Sequence, residues 1–384
     1  MARINLHIET RIAQTAKHAG DVCGDVVSCD RDEHATLLIL CDGIGSGIRA
    51  NIAATLSTAR LRTLIQDGFS LRQAVTEVAN TMEQAKQDAA TYCAFTAARI
   101  SNDGSMTALS YEIPTPLLIS SRHTVPLLTR SLTLGKALLM ETRYLLQPGE
   151  AVLLVSDGIT QAGIGTRFHQ AWGVDGVARF LNQNQSCRER LEHLPGALIQ
   201  EATRLGDGGT TDDMTVLLAM CRPSKTLTIF TGPPSEPRHD HAVIRRFLAS
   251  TGWKAICGGT TAKIVSDFVG KPMVLDKTVD SLIAPPSHRL EGVDLLTEGA
   301  LTLNQVYNIL DADPASFDEE SGVTQLIDFM RAADRVHFMI GGSLNPAALH
   351  ISFKQRGVLP RATIVPLLAD KLRAQGKRVT IEPV

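Results

Sequence analysis

The sequence predicts two folds in series: an α+β domain over residues 1–222, then an α/β domain with a mostly parallel sheet over 226–384. Three observations carry this. Before residue 222, strand-like and helix-like runs gather in separate blocks; after it they alternate. The break falls at "RPSKT" (222–226), where proline and polar residues follow an apolar run. A length of 384 residues suits two domains.

The elements follow in order. "ATLLIL" leads into Cys41 as a buried strand over 35–41, and a helix follows in which Ile48, Ile52, Leu56 and Ala59 share one apolar face. "SLRQAVTEVANTM" gives a second helix, with Leu71, Val75, Val78 and Met82 at spacings of 4, 3 and 4. Short strands come next, "CAFTAARI", "MTALSYEI", "TPLLIS" and "AVLLVS", separated by turn signals such as "NDGS" and "QPGE". A helical stretch near 172–204 precedes a last strand, "MTVLLAMC". Beyond the break, strands at "LTIFTG", "WKAICGG", "PMVLD", "VDLLTEG", "RVHFMIGG" and "RVTIE" alternate with helices near 240–250, 260–269, 302–310, 322–333 and 363–375.

Composition excludes some functions. The chain is 44% hydrophobic and 20% charged, with a net charge of −2, which gives no electrostatic footprint for nucleic acid or an anionic membrane. No stretch approaches the roughly 18 apolar residues of a membrane span, and "MARINLHIETRIAQ" has no apolar signal region, so a cytoplasmic location is expected. The seven cysteines show no C-x-x-C pair; Cys41, Cys93, Cys221 and Cys257 lie in or beside apolar runs and read as small buried hydrophobes, while Cys23 and Cys29 read as reduced thiols.

The chemistry centres on "CDGIGSG" (41–47), a glycine-rich turn between strand and helix. It is neither a dinucleotide fingerprint, since Ile48 stands where the third glycine belongs, nor a P-loop, since Gly-Lys-Ser/Thr is absent. Asp42 would repel a phosphate at that helix start unless a divalent cation lay between them. Three further places supply acids against apolar strands: Asp25 in "CGDVV", Asp157 in "LLVSDGI", and Asp212 and Asp213 in "TTDDMTVLL". Any one of them alone reads as a turn. Together they form a set of hard oxygen donors that favours Mg²⁺ or Mn²⁺ over zinc.

"CGDVV", "CDGIGSG", "SDGI" and "TDDMTV", in that order, resemble the successive motifs of the metal-dependent Ser/Thr protein phosphatases, the PPM family, and most of all its bacterial SpoIIE-like (sporulation stage II protein E) branch. "YLLQPGEAVLLVSDGITQAG" is also similar to that branch's approach to its third motif, and the likeness covers about residues 20–221. The resemblance implies an αββα sandwich with two Mn²⁺ or Mg²⁺ ions at one sheet edge. It implies that Asp42 and the Gly43 carbonyl, Asp157 and Asp212 bind the metals and that Asp25 supports them. Asp213 matches a position the wider family often fills with Asn. The implied reaction is hydrolysis of phosphoserine or phosphothreonine on a regulatory protein by water activated between the ions. Two departures stand out. Ile44 replaces the His that many members carry in D-G-H-G, leaving the general acid unidentified, and no Arg precedes Asp25 to grip phosphate. Both imply a slow, selective enzyme. The alternative is a regulatory binding protein with a catalytically weak phosphatase fold; retention of all four acidic motifs favours the enzyme.

In the second domain "GPPSEP" (232–237), "CGGTTAKIV" (257–265), "LTEGALT" (296–302) and "IGGSLN" (340–345) each follow a strand, and in a parallel sheet such turns gather at one edge. A small anionic ligand is expected at Gly258, Gly259, Thr260, Thr261, Gly341, Gly342 and Asn345; otherwise these glycines make tight turns and Thr260 caps a helix. A rival that makes this domain a small-molecule enzyme finds no nucleophile–base pair. "RHDHAV" (238–243) reads as a polar helix start capped by Asp240, and Trp172 as packing for a flap segment.

Overall fold

The computed structural model describes residues 5–18, 20–88, 91–166, 170–186, 190–207, 212–275, 288–313, 321–343 and 357–384. The chain divides into two compact units, Met1–Pro223 and Ser224–Val384.

Two antiparallel sheets build the first unit. One runs β1-β11-β10-β6-β7, from β1 (Leu6–Thr15), β6 (Leu117–Ile119), β7 (Thr124–Pro126), β10 (Ala151–Val155) and β11 (Met214–Pro223). The other runs β2-β3-β4-β5-β9-β8, from β2 (Asp25–Arg31), β3 (Ala35–Gly43), β4 (Cys93–Ser101), β5 (Ser105–Tyr111), β8 (Thr129–Leu134) and β9 (Ala137–Leu145). The strand period of two explains why β3 and β10 read as unbroken apolar runs: both faces of each are buried. Leu38 and Leu40 of β3 meet Val152 and Leu154 of β10 between the sheets. Ile39 and Cys41 point the other way, toward helices α1 (Ile48–Gln66) and α2 (Leu71–Gln87). Leu153 and Val155 pack with the helices Gly173–Gln183 and Leu194–Leu205. The layers are therefore helix, sheet, sheet, helix.

Helix α2 forms as its spacing requires. Ser70 and Gln73 make a reciprocal capping box, and Leu71, Val75, Val78 and Met82 are buried. Helix α1 does not turn its apolar stripe inward. Ile48, Ile52 and Leu56 are 67%, 51% and 65% exposed, and Ala59 is exposed too. The buried face is instead Ala50, Ala54, Ser57, Thr58, Leu61 and Leu64. The reason is close approach: a Cβ on Gly43 would sit 2.2 Å from the Ala50 carbonyl oxygen, so only small side chains fit where α1 crosses the end of β3. The stretch near 172–204 is not one helix: Gly173–Gln183 and Leu194–Leu205 are separate, and a 3₁₀ turn, Leu191–His193, leads into the second. Trp172 packs edge-on against Phe180 of the first of them, 5.6 Å between ring centres.

The second unit is a seven-stranded sheet, β14-β15-β16-β13-β12-β17-β18. Its core is parallel: β16 (Val293–Thr297), β13 (Trp253–Cys257), β12 (Thr226–Thr231), β17 (Arg335–Ile340) and β18 (Arg378–Pro383). β14 (Val274–Leu275) and β15 (His288–Leu290) add an antiparallel margin, and β15 gave no signal in the sequence. Helices Ala300–Ile309, Gly322–Ala332 and Arg361–Ala374 cover one face, around Leu227, Ile229, Val336 and Phe338. Helices Asp240–Leu248 and Gly259–Val269 cover the other, around Phe230, Ile256 and Met339. Asp240 does not cap its helix as expected: His239 holds the cap position, with no side-chain bond. Among the described residues no helix is long and apolar enough to cross a membrane.

Candidate functional site

Strand ends bring the acids together. β2 starts where β3 finishes, so Asp25 and Asp42 are direct cross-strand partners. Both have the parity of the residues that face the space between the sheets, and both are buried. β10 finishes beside the start of β11, which places Asp157 and Asp212 at the same edge. The Asp157 N–H donates to Asp42 Oδ2 at 3.3 Å, linking the two sheets. A Cβ on Gly158 would lie 3.4 Å from Asp212 Cβ and 2.1 Å from the Asp213 carbonyl oxygen, so glycine is required where α3 (Asp157–Thr160) meets the approach to β11.

The electrostatics are those of crowded, buried anions. Burial pushes the Asp42 carboxyl up to about 10, and the charges of Asp25 and Asp157 add to that. Burial likewise raises Asp25 to about 6, while the neighbouring Thr215 and Ser156 hydroxyls favour its charged form. Asp157 is raised by burial and then by Asp212. Neither Asp25 oxygen accepts a well-formed hydrogen bond among the described residues. Orphaned carboxylate oxygens and mutually repelling acids suit a hard divalent cation. The acids meet in pairs, however: among the described residues no three His, Cys, Asp or Glu side chains converge into a ready-made metal cage. Asp25, Asp42, Asp157, Asp212 and the Gly43 carbonyl are the groups that would hold such ions.

Asp212 and Asp213 do different work. Asp213 is buried, and its two oxygens accept the Lys17 and Gly24 N–H groups at 2.7 and 2.8 Å. It ties β11 to the chain between β1 and β2. Asp212 is only half-buried. Supporting residues that the motifs did not single out surround these acids. The Ser156 hydroxyl accepts the Thr215 N–H at 2.8 Å, the Thr215 hydroxyl accepts from Gln14 at 3.0 Å, and Gln161 donates to Asp157 Oδ2 at 2.7 Å. Ser156 adjoins a motif aspartate; Gln14 and Gln161 carry no sequence signal. Ile44 is exposed beside Gly43 and brings no proton to this edge. Cys23 is half-buried, with its thiol pushed up to about 11 by burial, then by Asp25.

In the second unit the expected ligand turns separate. Gly258 caps the helix Gly259–Val269 at φ 139°, ψ 126°, and Thr260 is exposed and does not cap it. Gly341 follows β17 and packs against the turn after β12, where a Cβ would meet the Pro233 and Gly232 carbonyl oxygens at 2.0 and 2.1 Å. Gly342 lies against Ser235. Because β12 stands between β13 and β17, the Gly258 and Gly341 turns are about two strand spacings, roughly 10 Å, apart. Gly258 contacts Gly299 instead. Asn345 lies outside the described residues.

Residues 32–222 match the family model for stage II sporulation protein E (SpoIIE). The fold is similar to the PP2C phosphatase domain with a regulatory-domain fragment of SpoIIE from Bacillus subtilis, at 18% identity over 57% of this chain and 63% of that one, TM-score 0.46. This chain thus spans less than two thirds of that structure. It is similar to the RsbU and RsbW domains of a Mycobacterium tuberculosis protein, at 18% identity over 70% and 72% of the two chains, TM-score 0.48. It is also similar to RsbX in complex with magnesium, at 16% identity over 57% and 99%, TM-score 0.41. No curated protein matches the chain.

Proposed function

The first unit belongs to the SpoIIE family of PPM-type phosphatases, and from that premise we propose that it hydrolyses phosphoserine or phosphothreonine on a regulatory protein with the help of two Mn²⁺ or Mg²⁺ ions. One observation carries the reading: Asp25, Asp42 and Asp157, buried or half-buried, and Asp212 beside them, stand together at one edge between the sheets. When bound, the ions supply a water acidic enough to attack near neutral pH and neutralise charge on the phosphoryl oxygens. The chain's own residues position the donors. Gly43 and Gly158 let helix and strand approach closely, and Asp213 anchors the β11 end through two backbone N–H groups. Ser156 and Thr215 favour the charged form of Asp25 against the burial that raises it.

The test is turnover of an aryl phosphate and of a phosphoserine peptide by the full chain. Activity is expected with Mn²⁺ or Mg²⁺, little with Zn²⁺, and none in excess chelator. Full turnover in chelator, with metal absence confirmed by elemental analysis, overturns the reading. Asp212→Asn is expected to cost more turnover than Asp213→Asn, and Asp213→Asn more stability, because asparagine keeps only one of the two oxygens that accept backbone N–H groups, a loss of about 1–3 kcal/mol. The reverse order would make Asp213 the ligand. The rival, a regulatory binder with weak catalysis, draws on Ile44, and metal-dependent binding of a phosphoprotein without its turnover would support it.

A further inference from the structure

The second unit brings two helix starts together at one sheet edge. β13 and β16 are adjacent and parallel, so the helices that follow them, Gly259–Val269 and Ala300–Ile309, begin side by side at one sheet edge. Their cap residues lie close together. A Cβ on Gly299 would lie 3.5 Å from Gly258 Cα, and one on Gly258 would lie 3.8 Å from Gly299 Cα. Neither cap supplies a side-chain acceptor. In the first helix the Ala262 N–H reaches the Gly258 carbonyl at 2.9 Å, and in the second the Leu303 N–H reaches that of Gly299 at 3.3 Å. The N–H groups of 259–261 and 300–302 stand ahead of those bonds, without an intrahelical acceptor. Two helix dipoles thus bring their positive ends to one spot.

A second observation points to an occupant. Thr261 and Thr302, the third residue of each helix, are 1% and 0% exposed. Neither hydroxyl has a hydrogen-bond partner among the described residues. The Thr261 hydroxyl faces the cap: a Cβ on Gly258 would lie 3.3 Å from its oxygen. A buried hydroxyl left unpaired is destabilising, and valine would fill the same space without that cost. Glu298, just before the Gly299 cap, and Lys263, in the first helix, are both exposed. We propose that the paired turns Gly258–Thr261 and Gly299–Thr302 bind a phosphate group, free or as a monoester, through these N–H groups and the Thr261 hydroxyl, with Thr302 as the second unpaired hydroxyl tested beside it. The chemistry is that of a tetrahedral oxyanion with several acceptor oxygens against many donors, rather than a carboxylate with two. The inference stands independently of the phosphatase reading, because it uses no residue of the first unit.

The experiment is calorimetric titration of the full chain in chelator with inorganic phosphate, and separately with acetate and glycerol phosphate. Wild type and Asp42→Asn are expected to bind phosphate alike. Thr261→Val with Thr302→Val is expected to bind at least about tenfold more weakly while melting at the same or a higher temperature. Thr261→Ser is expected to retain binding. Tighter binding of glycerol phosphate than of phosphate identifies a monoester as the occupant; the reverse identifies the free ion. No phosphate binding by wild type, equal binding by the double valine variant, or acetate binding as tight as phosphate overturns the proposal.

Discussion

Two turns in this chain follow a buried strand with a cysteine at or near its end, pass through glycines and enter a helix, yet they are built for opposite charges. After Cys41 comes Asp42, which faces Asp25 across the strands and meets Asp157 from the other sheet. After Cys257 comes Gly258, beside which stand another glycine cap and a hydroxyl with no partner among the described residues. One residue of difference reverses the field. A carboxylate at the strand end, backed by more carboxylates, calls for a cation; bare helix starts call for an anion. Glycine content alone therefore does not identify a phosphate turn; the groups gathered around the glycines decide its sign.

The strongest way to break this contrast is to remove the charge at the first turn. Asp42→Asn and Asp157→Asn are each expected to remove more than nine-tenths of phosphatase turnover, a loss of at least about 1.4 kcal/mol of transition-state stabilisation. Circular dichroism and thermal melting should show the fold retained, since each change removes charge and little volume. Turnover above about a tenth of wild type in either variant would show that its carboxylate is no ligand.

A medium effect separates the reasons for the two glycines. At Gly43 an added Cβ meets the Ala50 carbonyl oxygen at 2.2 Å, a clash with backbone that no rotamer relieves. At Gly258 the nearest atom is 3.3 Å away, but φ is +139°. Gly43→Ala is expected to cost about 1–3 kcal/mol through overpacking, and Gly258→Ala a similar amount through backbone strain. Denaturant unfolding measures both. Gly43→Ala should also lower metal-dependent turnover, because α1 must shift away from Asp42. A loss below about 0.5 kcal/mol at Gly43 would mean that helix and strand do not approach as closely as described.

Much of the first turn was legible because its chemistry is written in side chains. The four acidic motifs each abut an apolar strand, and the α2 spacing of Leu71, Val75, Val78 and Met82 names a face that is indeed buried. The α1 face was misread because periodicity weighs large apolar residues, whereas backbone approach at Gly43 selects Ala50 and Ala54. β1, a strand of ten residues with only Leu6 and Ile8 buried, carries too weak an alternation to announce itself. The second turn was legible only in part. Its donors are backbone N–H groups, which every residue but proline carries, so sequence marked the glycines without saying which turns would meet. Strand order made Gly299 the partner of Gly258, and put Gly341 beside Gly232.

A further expected effect is on stability against pH, and it sets the turns apart once more. In the unfolded chain Asp25 and Asp42 release their protons near the ordinary value of 3.8; in the metal-free fold they hold them to about 6 and about 10. Above pH 4 the unfolded chain therefore binds fewer protons than the native one, and stability falls as pH rises, first through the Asp25 range and then toward that of Asp42. The second turn contains no titratable group between Gly258 and Thr261 and adds nothing to this slope. In chelator, the first unit is expected to melt at a lower temperature near pH 8.5 than near pH 5.5, by roughly 2–4 °C for each kcal/mol lost. Mn²⁺ competes with the retained protons, so its stabilisation should be larger at the higher pH. Asp42→Asn should flatten the metal-free slope. Scanning calorimetry of the full chain resolves this, and a metal-free melting temperature that held steady or rose over that interval would show that the acids at this edge are not the crowded, proton-retaining cluster described.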